Sequence, residues 1–291
     1  MKLSATQLNS LVLLALLSVL GAKPLSVNLQ GPTDAEMATS SKAPDAVVST
    51  TPAYHPPAVS IGRAGVYTPP DFSRHREAET RKKAFYDYLL PMIHEANREV
   101  VRERAWLLGL ARRLLDGQAL TAGQLVELKK VEKRYAVSVA RGSQAERVGR
   151  MLLRVDIVPA SLVLAQAAKE SGWGTSRFAR EGNNFFGIWC FFEGCGMTPL
   201  HRDEGRDHEV AMFDSVEEGV RYYIRTINTH IAYEELRHMR ASARRAQQPV
   251  SGEALAGGLV RYSERGLAYV REIQSMIRYN QLKRFTQAYS A

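Results

Sequence analysis

Cysteine is nearly missing from this chain: Cys190 and Cys195 are the only two in 291 residues. No histidine stands beside them at ligand spacing, which argues against zinc, and neither a metal nor another cofactor is expected. Long apolar runs are scarce as well. The N-terminal block Leu11–Ala22 falls short of the roughly 20 apolar residues that a bilayer-spanning helix needs. Residues 1–22 therefore read as a signal peptide, with an uncleaved membrane anchor as the alternative. No cysteine follows the block, which argues against a lipoprotein anchor. Acidic residues are in deficit, 30 against 39 Lys and Arg, for a formal net charge of +9. That sign favours polyanionic partners: nucleic acid, anionic phospholipid or an anionic wall polymer. No nucleic-acid-binding motif accompanies the charge, and an exported chain seldom meets genomic DNA, so no nucleic acid partner is expected. An anionic membrane surface stays open. Internal repeats are absent.

What is present changes sharply along the chain. Residues 23–72 carry Pro32, Pro44, Pro52, Pro56, Pro57, Pro69 and Pro70 with little periodic hydrophobicity, the composition of a disordered linker. Residues 73–142 form a basic helical region. Phe85, Leu89, Met92 and Ile93 recur at helical spacing, as do Val101, Trp106, Leu110 and Leu114. Gly117 ends that helix and Thr121 begins the next. Arg81, Lys82, Lys83, Arg102, Arg104, Arg112, Arg113, Lys129, Lys130, Lys133 and Arg134 fill its other faces. They read as a solvated surface, or alternatively as a docking surface for an anionic wall or membrane.

Residues 143–291 hold the chemistry. Pro159 suits the first turn of a helix over Ala160–Ser171, which Gly172 and Gly174 stop. Leu200–Phe213 alternates weakly around Gly205 and reads as a small hairpin. Ser215 and Glu218 match a capping box opening a helix striped by Val216, Val220, Tyr223, Ile224 and Ile227. Ser251 begins a further helix, Arg261–Glu264 interrupts it, and Leu267, Val270, Ile273 and Ile277 resume it. The expected fold is mainly α with a small β-hairpin lobe. Cys190 and Cys195 bracket Phe-Phe-Glu-Gly; in an oxidising compartment a disulfide is expected, with free thiols as the alternative.

One carboxylate stands out. Glu170 lies at the end of the apolar helix Leu164–Ser171, just before Gly172-Trp173-Gly174. On a helix it shares a face with Val163, Gln166 and Ala167. The helix C-terminus is the negative end of the dipole and disfavours an ionised carboxylate; desolvation acts in the same direction. A carboxylic acid held neutral near pH 7 can protonate a leaving oxygen, the central step in breaking a glycosidic bond. Lys169 points about 100° away on a 3.6-residue helix and opposes this weakly. Around Glu170, Trp173 and Trp189 are either sugar-stacking platforms or core. Phe185 and Phe186 read first as core. Asn183 and Asn184 read first as turn formers and second as polar ligands, and Gly187 would let a ligand approach the backbone.

These residues resemble the bacterial peptidoglycan glucosaminidase domain, glycoside hydrolase family 73. The resemblance rests on Ala165-Gln-Ala-Ala-Lys-Glu-Ser-Gly-Trp-Gly174, on Asn184-Phe-Phe-Gly-Ile188, and on Tyr262-Ser-Glu-Arg-Gly-Leu-Ala-Tyr269, three motifs in order over about residues 145–285. It implies a lysozyme-like α+β domain at 143–291 with a glycan groove between its lobes, acting on peptidoglycan glycan strands in the periplasm or cell envelope. Glu170 would be the general acid and Tyr269 an active-site tyrosine, with Trp173, Asn184, Phe186, Gly187, Trp189 and Tyr262 toward substrate. The chain departs from the family at the second carboxylate, expected in a Thr-Thr-Glu-Tyr type run. Here that stretch is Met197–Glu204, and Glu204 is the chosen substitute ahead of Asp203, Asp207 and Glu209. Without a second acid, Tyr269 or the substrate's own acetamido group would have to assist. The expected activity is cleavage of the β-1,4 bond after N-acetylglucosamine; the alternatives are a lytic transglycosylase and a non-catalytic wall-binding or scaffold protein.

Overall fold

The computed structural model describes residues 69–137, 142–199 and 209–286. The N-terminal apolar block, nearly all of the proline-rich stretch, and Asp203, Glu204 and Asp207 lie outside those residues. None of the described helices is long and apolar enough to cross a membrane.

The chain enters the fold earlier than its composition implied. Phe72, inside the stretch read as linker, is fully buried, edge-on to Phe85, Tyr88 and Phe185. A single aromatic on a polar background gives no periodic signal, yet it anchors the segment. Helix α1, Ala78–Leu115, runs 38 residues through Pro91. It ends before Gly117, whose φ of 73° is the left-handed geometry expected of a stop. Helices α2 (Ala122–Arg134) and α3 (Gln144–Arg154) open on reciprocal capping boxes, Thr121 with Gln124 and Ser143 with Glu146. The basic faces of this region are not wholly solvated: Arg104 is 3 % exposed and belongs to the core.

Helix α4, Ala160–Ser171, is the centre of the molecule, with every residue from Ala160 to Ala168 buried. It packs against α1, against α8 (Gly252–Leu255), against α9 (Leu267–Tyr279), and against the closing 3₁₀ turn Leu282–Phe285. Short α5, Arg177–Gly182, follows it. Helix α6, Val216–Thr229, begins at Ser215 as expected. Ser215 accepts from Glu218 N–H, but the Glu218 carboxylate returns to Asp214 N–H rather than to Ser215. Helix α7, Glu234–Arg245, was not apparent from periodicity because two of its four buried positions are Arg237 and Arg240.

The β lobe differs from a simple hairpin within Leu200–Phe213. Strands β1 (Trp189–Cys190) and β2 (Gly196–Met197) flank β3 (Glu209–Ala211) in a three-stranded antiparallel sheet ordered β1-β3-β2. Two of the strands thus come from either side of the cysteine loop, where two-residue strands leave no alternation to read. Cys190 and Cys195 are joined by a disulfide, and Glu209 accepts hydrogen bonds from Gly194 and Gly196 N–H across that loop.

Candidate active site

The last turn of α4 presents Glu170. Its geometry follows from the residues after it. Ser171 Oγ donates to the Ala167 carbonyl and accepts from Gly174 N–H, and Gly172, Trp173 and Gly174 all have positive φ. Only glycine fits at 174, where a Cβ would collide with the Phe72 ring. The tight reversal lifts the chain off α4 while leaving Glu170 half-buried at its lip.

Tyr269, near the start of α9, donates its hydroxyl to Glu170 Oε1 at 2.7 Å. Gln166, one turn before Glu170 and fully buried, donates from Nε2 to the Tyr269 oxygen at 3.0 Å. Tyr223 of α6 donates to Gln166 Oε1. Stacked rings wall this chain: Phe186 on Tyr223 at 4.1 Å between centroids, and Tyr262 on Tyr269 at 5.3 Å, with Tyr233 tilted against Tyr262. The Tyr262 hydroxyl donates to the Phe186 carbonyl at 2.9 Å, so the aromatic loop and the segment before α9 close on one another.

Burial pushes the Glu170 carboxyl above the ordinary range, opposed by the Tyr269 hydrogen bond and the Lys169 charge. The Lys169 ammonium is engaged 2.7 Å away by Glu272. Tyr269 is raised well above an ordinary phenol by burial first and the neighbouring Glu170 charge second. It therefore holds its proton firmly and serves Glu170 as a hydrogen-bond donor.

The residues expected to face substrate divide. Gly187, with φ of 62°, lies against the acid: a Cβ placed there would sit 3.7 Å from Glu170 Oε2. Trp189, on β1, is 49 % exposed. Asn184 does something else. It is 1 % exposed; its amide donates to the Ile188 and Ala211 carbonyls while its oxygen accepts from Phe186 and Ile188 N–H. All its capacity is engaged in tying the 184–188 loop to β3. Phe186 is buried under Tyr223, and Trp173 is edge-on to Phe85 and Tyr86 of α1 beneath the Lys82 ammonium. These three build the site's frame. Glu209, an alternative second acid, is bound into the cysteine loop. Asn184→Ala is expected to destabilise the fold by about 2 kcal/mol, because it strands buried backbone groups; urea unfolding checks it.

Tyr223, Gln166 as a hydrogen-bonding residue, and Tyr233 were not singled out from sequence. One signal was available: a lone amide on an otherwise apolar buried helix must find partners.

Residues 148–282 match the Glucosaminidase family, described as mannosyl-glycoprotein endo-beta-N-acetylglucosaminidase. No solved structure gives a significant match. Protein bax of Escherichia coli (strain K12) is 36 % identical over 212 residues, 73 % of this chain and 74 % of that protein. With Glu170, Tyr269 and the aromatic loop all inside the matched span, the chain belongs to the Glucosaminidase family of glycosidases.

Proposed function

We propose that the protein hydrolyses the β-1,4 bond after N-acetylglucosamine in peptidoglycan, with Glu170 protonating the leaving oxygen. The observation that carries this reading is the Glu170 carboxyl itself. It is biased toward its neutral form by burial, held from one side by Tyr269, and backed on the other by a residue with no side chain. A general acid needs these features: a proton held more firmly than by an ordinary carboxylate, a fixed orientation, and room for the leaving oxygen.

Glu204, in the segment between β2 and β3, is the second carboxylate we assign, acting on the opposite face of the sugar; the spacing between the two acids sets the stereochemical outcome. If Glu204 does not act, the substrate's acetamido oxygen is the remaining group for that role. Trp189 beside the cysteine loop, half exposed, is the aromatic we assign to sugar stacking. The Leu11–Ala22 block and the closed Cys190–Cys195 pair support action in the periplasm or cell envelope. The surplus of positive charge suits an anionic wall or membrane surface.

Digestion of purified sacculi followed by mass analysis tests the bond and the reaction together. Hydrolysed products ending in reducing N-acetylglucosamine are expected. Anhydro-sugar ends would identify a lytic transglycosylase, and binding without any cleavage across a range of pH would identify a wall-binding protein; either result overturns the proposal.

A further inference from the structure

The hydrogen bonds behind Glu170 have a direction, and that direction decides which carboxyl oxygen can hold the acid proton. This placement of the proton rests on the acid role proposed above. Tyr223 is 1 % exposed, and its ring is fixed against Phe186. Its O–H donates to Gln166 Oε1, so the amide turns its Nε2 hydrogens the other way. One of them goes to the Tyr269 oxygen at 3.0 Å. A phenol that accepts from an amide still has one hydrogen to give, and Tyr269 gives it to Glu170 Oε1. Each group in the chain has one consistent orientation. Because Oε1 is an acceptor, the hydrogen of the neutral acid sits on Oε2. That is the oxygen facing Gly187, where a Cβ would stand 3.7 Å away and glycine leaves the approach open.

We propose that Tyr223 and Gln166 are positioning residues that aim the Tyr269 hydroxyl at Glu170 Oε1 and so keep the acid proton on Oε2, toward the open side over Gly187. A buried amide at 166 would otherwise be an unfavourable choice, since an apolar side chain of similar volume fills a core without desolvating four hydrogen-bonding sites. The reversed amide shows what the arrangement prevents. With Gln166 turned over, Tyr269 would donate to Gln166 Oε1 and accept from a protonated Glu170 Oε1. The proton would then face the protein interior rather than the leaving oxygen, and the ionised form of Glu170 would lose its donor.

The test is a ¹³C NMR titration of the Glu170 side-chain carboxyl in the full chain, for wild type, Tyr223→Phe, Gln166→Met and Tyr269→Phe. Near-UV circular dichroism confirms that each variant is folded. Tyr269→Phe removes the donor to Oε1 outright and is expected to move the titration to higher pH. Tyr223→Phe releases the amide, and Gln166→Met removes it; both are expected to move the titration in the same direction, toward the Tyr269→Phe curve. On sacculi the same two variants should show kcat reduced about tenfold with KM unchanged, and a basic limb of the rate profile shifted upward. Titrations of Tyr223→Phe and Gln166→Met that coincide with wild type overturn the proposal, whatever their activity. The NMR measurement needs no turnover, so an unmoved titration removes the positioning role alone, whereas full activity of Glu170→Gln removes the acid role alone.

Discussion

Glu170→Gln is expected to lower the release of reducing ends from purified sacculi by about 10³-fold, the scale of a lost general acid. The amide keeps the size of the side chain and can still accept from Tyr269 through its oxygen, so the loss reports the missing proton rather than a collapsed site. Stability separates the two effects further. Burial raises the Glu170 pKa, so folding favours its neutral form. The stability associated with that form is complete below the ordinary glutamate range and is lost as pH rises through the raised folded value. Above the ordinary glutamate range the buried carboxyl is therefore a burden on the native state. Glu170→Gln should melt at or slightly above the wild-type temperature at pH 7, and the difference should vanish near pH 4. A variant that is inactive yet at least as stable is the signature of a group kept for chemistry at the expense of stability. Turnover near wild type in the same variant would remove Glu170 from the mechanism.

Much of this site was legible in the sequence because its signals are local. A carboxylate at the end of an apolar helix, followed by Gly-Trp-Gly, is a statement about one turn of chain, and α4 ends in the left-handed Gly172 as that pattern requires. The helix starts at Thr121, Ser215 and Ser251 and the stop at Gly117 are equally local. What could not be read depends on contacts distant in sequence. Gln166 meets Tyr269 across 103 positions and Tyr223 across 57, and no spacing rule links them. Asn184 looks like a turn residue until Ala211, on another element, proves to be its partner. Trp173 gives no hint of its ring neighbours, Phe85 and Tyr86, until α1 is placed against it. Helix α7 failed for a different reason, two of its four core-facing positions being arginine. Hydrophobic periodicity is blind to buried positions that are charged, and one of them, Arg240, belongs to the feature that holds α4 in place.

Asp156→Asn is expected to destabilise the protein by about 3–5 kcal/mol, the cost of leaving buried charge without its partner. Asp156 is 2 % exposed and lies just before α4. Arg244 of α7 grips it with two nitrogens at 2.8 and 3.1 Å, while Arg104 of α1 and Arg240 of α7 approach at 3.6 and 3.9 Å. Arg240 also donates to the main-chain carbonyls of Asp156, Ile157, Leu153 and Arg154, and Asn97 of α1 bonds both the N–H and the carbonyl of Val158. The strand of chain leading into α4 is thus fixed on every side. Burial alone would raise the Asp156 carboxyl, but the three guanidinium groups win and hold it far below the usual carboxylate range. The sign of the pH dependence follows. A depressed carboxylate contributes stability that is complete above the unfolded value of about 4 and is lost as pH falls toward the folded one. The gap between wild type and Asp156→Asn in urea unfolding should therefore be constant from pH 7 to about pH 5 and shrink below about pH 4. A gap under about 1 kcal/mol at pH 7 would mean the arginines are satisfied by backbone carbonyls alone. The functional consequence runs along α4, whose 12 residues span about 18 Å at 1.5 Å per residue. The Arg–Asp cluster fixes one end of that rigid rod, and Glu170 sits at the other. Any tilt permitted at Asp156 is carried to the acid, so the variant's residual folded fraction should also turn over more slowly than wild type.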